Sequence, residues 1–159
     1  MSTVPVVDNQ AVPTVAPDAR SFWYSGNLMK VLVDSRETAG QLAIVQSIAQ
    51  PGFEPPLHVH SREDETFIVV EGLLQVTCGG EDHLLRSGQA IFAPRGIPHT
   101  FRVQGAQVRM ITVITPGGFE NFFRALALPD EDGQSPASSW RPSFDRIAEV
   151  ARRFAVELA

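Results

Sequence analysis

Two histidines one residue apart, His58 and His60, are followed five residues later by Glu65, and these residue types at this spacing are metal-ligand chemistry. In a strand, residues two apart point the same way, so both imidazoles project from one face and can share a cation. Glu65 stands at an odd offset from His60, which on an unbroken strand would put it on the opposite face. Ser61 to Asp64 must therefore turn, and with the register reset Glu65, Phe67 and Val69 face one side. If that side is an interior, the carboxylate lies among apolar side chains and needs a partner, which a cation held with the two histidines supplies. A further histidine, His99, heads a later strand on which it shares a face with Phe101 and Val103. Three imidazoles and one carboxylate suit late first-row divalent ions and leave one or two coordination positions open for substrate or dioxygen.

These residues need short strands to position them, and the chain has the texture for it. Its 159 residues suit one domain with a real core, and twelve glycines with twelve prolines punctuate it as in an all-β protein. Strands are expected at Phe22–Tyr24, Leu28–Val33, Leu42–Ile48, Thr66–Val70, Leu73–Thr77, His83–Leu85, Ala90–Ala93, Thr100–Val103 and Val108–Thr115. Before them, residues 1–20 lack periodicity and carry Pro5, Pro13 and Pro17, and are expected to be an extended or disordered N-terminal arm. After them the texture changes: Phe119, Phe122, Phe123 and Leu126 recur at helical spacing, completing a β domain of residues 21–128 with a short capping helix. Residues 129–159 read as a linker and a second helix, with Ser143 as N-cap and a stripe of Ile147, Val150, Ala151, Phe154 and Leu158. Both helices are expected to pack against the outside of the β domain.

The formal charge of −5 and the absence of any basic cluster longer than a pair argue against a nucleic-acid surface. Cys78 stands alone, so neither an intrachain disulfide nor a cysteine-rich zinc site can form. With no basic, apolar leader and no long apolar run, the expectation is a cytoplasmic protein with no membrane segment. Glu63 and Asp64 are expected at a solvated loop tip, outside the site, and His83 on the surface.

The two ligand-bearing stretches resemble the two motifs of the cupin superfamily, G(X)5HXH(X)3-4E(X)6G and G(X)5PXG(X)2H(X)3N. Gly52, His58, His60, Glu65 and Gly72 meet the first in full; Gly88, Pro94, Gly96 and His99 meet the second, whose final Asn is Val103 here. Nine of ten fixed positions match, and fifteen residues separate the motifs, as in small microbial cupins. The resemblance implies a jelly-roll β-barrel that encloses a ligand cavity and holds one divalent transition metal ion (Fe, Ni, Co, Mn, Cu or Zn) on His58, His60, Glu65 and His99. It also implies pairing of barrels in a homodimer. By strand alternation, Phe67, Phe92, Phe101 and Met110 are the expected cavity wall.

Flanking sequence is similar to small single-domain bacterial cupins likened to quercetin 2,3-dioxygenases. That similarity implies insertion of both atoms of O₂ into a flavonol-like or other aromatic or enolic small molecule, with Glu65 as both ligand and catalytic acid–base group. A non-catalytic cupin that binds a small ligand, or a metal-dependent isomerase or decarboxylase that does not use O₂, fits the same ligand set.

Overall fold

The computed structural model describes residues 15–131 and 140–159. The start of the N-terminal arm and most of the expected linker, residues 1–14 and 132–139, lie outside the described residues. Ten strands join in one antiparallel sheet: β1 (Ser21–Tyr24), β2 (Asn27–Val33), β3 (Ala43–Ala49), β4 (His58–His60), β5 (Asp64–Cys78), β6 (Glu81–Arg86), β7 (Ala90–Ala93), β8 (His99–Thr115), β9 (Leu128–Pro129) and β10 (Val156–Leu158). The hydrogen-bonded path runs β10-β4-β8-β3-β2-β1-β9, and β5 pairs with β8 while carrying β6 and β7. This is an all-β jelly roll curled around its core, with its strand pairing an open path rather than a closed ring.

Burial alternates along the central strands. Every second residue of β3, from Ala43 to Ala49, is buried, as a half-covered strand requires. Between β1 and β2, Ser25 and Gly26 both take positive φ, the two-residue turn that matches strand twist. A Cβ on Gly26 would meet the Phe53 ring at 2.4 Å, so the turn also depends on a missing side chain.

β5 and β8 correct the expected strand list. Where the sequence reads as Thr66–Val70 and Leu73–Thr77, and as Thr100–Val103 and Val108–Thr115, the chain forms two long strands of 15 and 17 residues. Gly72, at φ +98°, does not end β5. It lies in an irregularity of the β5–β8 register between Glu71 and Leu73, and a Cβ there would fall 2.7 Å from the Gln107 carbonyl oxygen. Pairing continues on both sides of the bend because β8 bends with it. Each long strand thus serves two parts of the barrel: the first half of β8 lies beside the far end of β5, and its second half beside β3 and the start of β5.

After β8 come two short helices among the described residues, α1 (Glu120–Leu126) before β9 and α2 (Phe144–Arg153) before β10, and both pack on the β domain. Ser143 caps α2 as its sequence predicts, its side chain accepting from the Arg146 amide at 3.2 Å. The apolar stripe does not continue as helix to Leu158. Phe154 ends α2, Ala155 takes φ +56°, and Val156–Leu158 pairs with β4, Val156 opposite His60 and Leu158 opposite His58. Backbone satisfaction decides this: β4 has one edge left open by β8, and three residues of free chain satisfy it.

Two apolar clusters form the core. One joins Phe22, Met29, Val45 and Ile114 to Phe119, Phe122 and Val150 of the C-terminal region; the other gathers Phe67, Val69, Leu74, Val76, Val108 and Met110. Val15, from the end of the expected arm, is buried in the first cluster. Among the described residues, no helix is long and apolar enough to cross a membrane.

Candidate metal centre

Three strands bring the ligand set together. β4 ends at His60, the chain bends through Ser61 and Arg62, and β5 starts at Asp64, which is the break that the odd spacing to Glu65 demands. The Ser61 amide and hydroxyl both donate to the Ala155 carbonyl, and the Gly96 amide donates to that of His60, so the bend is tied to two distant segments. His99, the first residue of β8, pairs with His58 of β4. One ligand atom from each of His58, His60, Glu65 and His99 lies within 4.8 Å of the others. His60, Glu65 and His99 are buried, and His58 is half-buried at the cavity side.

The distances suit shared coordination. Glu65 Oε2 stands 2.9 Å from His99 Nε2 and 3.3 Å from His60 Nε2. Neighbouring ligands at right angles, each ~2.1 Å from an ion, are themselves ~3.0 Å apart. The outer nitrogens of two rings are fixed by backbone: His58 Nδ1 donates to the Pro56 carbonyl at 2.8 Å and His99 Nδ1 to that of Ile97 at 3.1 Å. A carbonyl oxygen can only accept, so both rings carry their proton on Nδ1 and turn the Nε2 lone pair inward. Among the described residues, neither buried nitrogen of His60 has a hydrogen-bond partner, and a cation at Nε2 would satisfy that nitrogen. The donor set and its orphaned atoms therefore fit a divalent transition metal ion, with the residues of His58, His60, Glu65 and His99 as its holders.

Protonation in the metal-free protein follows from the packing. Burial lowers the pKa of His58 to about 4, and the neighbouring His99 and His60 work in the same direction. Burial acts the same way on His60, but the carboxylates of Glu63 and Glu65 outweigh it and hold that ring at about 9. Burial pushes Glu65 up, yet His60 and His99 beside it keep the carboxyl well below its usual range. Glu65 thus faces a protonated His60 imidazole at buried positions, where a dication would take the proton's place.

His58, His60 and Glu65 open onto a cavity of about 220 Å³. Of the expected wall, Phe67, Phe101 and Met110 line it; Phe92 does not. Phe92 is 57% exposed, because on β7 it is Ala93, opposite Glu65, that is buried, and Phe92 therefore points outward. Sequence reading also left out most of the wall. Phe119 packs edge-on against His60 with ring centroids 4.4 Å apart, and Phe122, Phe123, Ile147 and Tyr24 join it in the lining. The helical stripe at Phe119–Phe123 pointed to an apolar face, and only the return of the chain over the cavity shows which surface it covers. Burial raises the Tyr24 phenol to about 12, so it stays neutral at that wall.

Glu63 corrects the reading of a solvated loop tip. It is only 6% exposed and sets Oε2 3.4 Å from His60 Nδ1, whereas Asp64 behaves as expected of a surface residue and holds Arg95 through two oxygens at 3.1 and 3.0 Å. Val103, at the position of the motif Asn, is 6% exposed in the second apolar cluster, and a hydrocarbon side chain suits that place.

Comparison with known proteins follows the same lines. The cupin domain family (Cupin_2) matches residues 45–114. Quercetin 2,3-dioxygenase of Bacillus subtilis is 29% identical over 135 residues, covering 84% of this chain and 40% of that protein. Quercetin 2,3-dioxygenase of Aspergillus japonicus is 37% identical over 74 residues, 43% of this chain and 21% of that protein. The chain thus spans well under half the length of these relatives. Among solved structures, oxalate decarboxylase of Bacillus subtilis superimposes with a TM-score of 0.55 at 26% identity, over 65% of this chain and 29% of that one. With the jelly roll, the His58–His60–Glu65–His99 cluster and both sequence motifs in agreement, residues 45–114 form a cupin domain, and the chain is similar to the quercetin 2,3-dioxygenases.

Proposed function

We propose that the chain is a metal-dependent dioxygenase acting on a flavonol-like or other aromatic or enolic substrate. The observation that carries this reading is the junction of a three-histidine, one-glutamate cluster with a cavity walled by Phe67, Phe101, Phe119, Phe122 and Phe123. A divalent ion held by His58, His60, Glu65 and His99 would supply Lewis acidity toward a deprotonated substrate oxygen. The chain's own residues do the rest. The aromatic wall stacks on an apolar ring and keeps bulk water from the reacting carbons. His58 and His99, each pinned through Nδ1 to a backbone carbonyl, hold their faces of the site rigid. Glu65, buried between two imidazoles, would take the proton from a substrate hydroxyl.

Metal analysis of the purified protein, then oxygen-electrode traces of protein loaded with each of Fe, Ni, Co, Mn, Cu and Zn against a panel of flavonols and catechols, tests this. Uptake of O₂ in step with loss of the flavonol is the expected result. A fully loaded site that takes up no O₂ with any of them overturns it. The structural likeness to oxalate decarboxylase favours one second reading, a decarboxylase that consumes no net O₂. Release of CO₂ from oxalate without O₂ uptake would select it.

A further inference from the structure

We propose that Glu63 is a positioning residue for the metal centre: its carboxylate receives the Nδ1 proton of His60 and so fixes that ring with the Nε2 lone pair toward the ion. This inference rests on the metal reading of the cluster. Each ligand histidine needs something to hold its outer nitrogen, because a ring free to turn or change tautomer loses its aim. For His58 and His99 a carbonyl two residues upstream does this. His60 hydrogen-bonds to no carbonyl among the described residues, and what stands at its Nδ1 is Glu63 Oε2, 3.4 Å away.

The turn itself shows that Glu63 is directed there. Ser61 to Asp64 carries two adjacent acids with opposite fates: Asp64 goes out to the Arg95 guanidinium and amide, and Glu63 goes in. A carboxylate buried at a bend costs stability unless it meets a donor, and Glu63 Oε2 has no hydrogen-bond partner among the described residues. Three unsatisfied atoms thus sit in one line of contacts, His60 Nε2, His60 Nδ1 and Glu63 Oε2. Occupying Nε2 with an ion leaves the ring's proton on Nδ1, facing the carboxylate, and satisfies all three together. Because a carboxylate accepts more strongly than a carbonyl, His60 becomes a stronger donor to the ion than its two companions.

The test compares wild type, Glu63→Ala, Glu63→Gln and Asp64→Asn. Zn²⁺ affinity is read by chelator competition, the visible spectrum after Co²⁺ loading, and the melting temperature of the metal-free proteins. Glu63→Ala is expected to weaken Zn²⁺ binding about 10–100-fold and to shift the Co²⁺ bands. Glu63→Gln, whose amide oxygen still accepts from Nδ1, recovers part of the affinity, and Asp64→Asn keeps wild-type affinity and spectrum. Should Glu63→Ala fail to fold, Glu63→Gln carries the test through its own smaller loss and band shift. Wild-type affinity and spectrum in the Glu63 variants, or an equal loss in Asp64→Asn, overturns the inference. A wild-type protein that binds no divalent ion instead overturns the metal reading on which it rests.

Discussion

Among the described residues two places bury charge, and they do it in opposite ways. Behind α1, the Asp34 carboxylate accepts from Arg36 and Arg124, the Arg124 guanidinium also reaches the Ala19 carbonyl and Asn121, and Glu120 accepts from the Ser35 and Gly118 amides. Every charged group there is answered. At the His60 end of the barrel, both ring nitrogens and one carboxylate oxygen are not. A completed network fixes α1 to the 3-10 turn at Ser35–Thr38 and has nothing left to offer a ligand. The incomplete one is held in place by rigid strands around it and has its unsatisfied groups aimed at one point. The difference separates buried charge that makes structure from buried charge that waits for a cation.

Four experiments break or sharpen that contrast, the largest effect first. Glu65→Gln should retain part of the bound metal and lose about 10²–10⁴-fold in turnover, measured as O₂ uptake with whichever flavonol the wild type accepts; full activity removes Glu65 from the chemistry. On the other side, Arg124→Met leaves Asp34 buried with one fewer partner and should cost about 3–5 kcal/mol in urea denaturation, whether or not metal is present. Adding a divalent ion at a hundred times its dissociation constant should stabilise the wild type by about 2.7 kcal/mol. In a chain of this size that raises the melting temperature by about 5–10 °C, a gain that Arg124→Met keeps and a His58→Ala, His60→Ala double variant loses.

The last experiment concerns pH. In the metal-free protein the His60 pKa is raised from 6.5 to about 9, so the stability its proton contributes is fully present below about 6.5 and is lost as pH rises through about 9. A metal ion has to displace that proton, and its apparent affinity should therefore climb about tenfold per pH unit up to about 9. Competition titrations between pH 6 and 9 measure the slope. A flat profile would mean that Glu63 and Glu65 do not hold a proton on His60, and the charge pairing described for these residues would fall.

Much of the site was legible in the sequence because strand parity is a local rule. Two-residue spacing puts His58 and His60 on one face, and the odd step to Glu65 requires the bend at Ser61–Arg62 that the structure shows. Parity also misleads where its origin is unknown. Phe92 was assigned inward on β7, but the register opposite β5 turns Ala93 in and Phe92 out. Glu63 was missed for a different reason: an acid in a Ser-Arg-Glu-Asp bend is ordinarily solvated, and nothing local distinguishes the one that faces a histidine from the one that faces an arginine.

The sequence by itself determined the all-β texture, the turns, the helix cap at Ser143 and the shared face of His58 and His60, since each follows from contacts or periodicities within a few residues, while the resemblance in motif spacing added His99 to the cluster. What only the tertiary structure decided are the features that depend on segments far apart in the chain. The bends that keep β5 and β8 continuous depend on each other's backbone. Val156–Leu158 becomes a strand because the edge of β4 is free, and Phe119 and Phe122 become cavity wall because the chain returns over His60. Hydrogen-bond satisfaction and burial are properties of the assembled whole, and no stretch of sequence carries them alone.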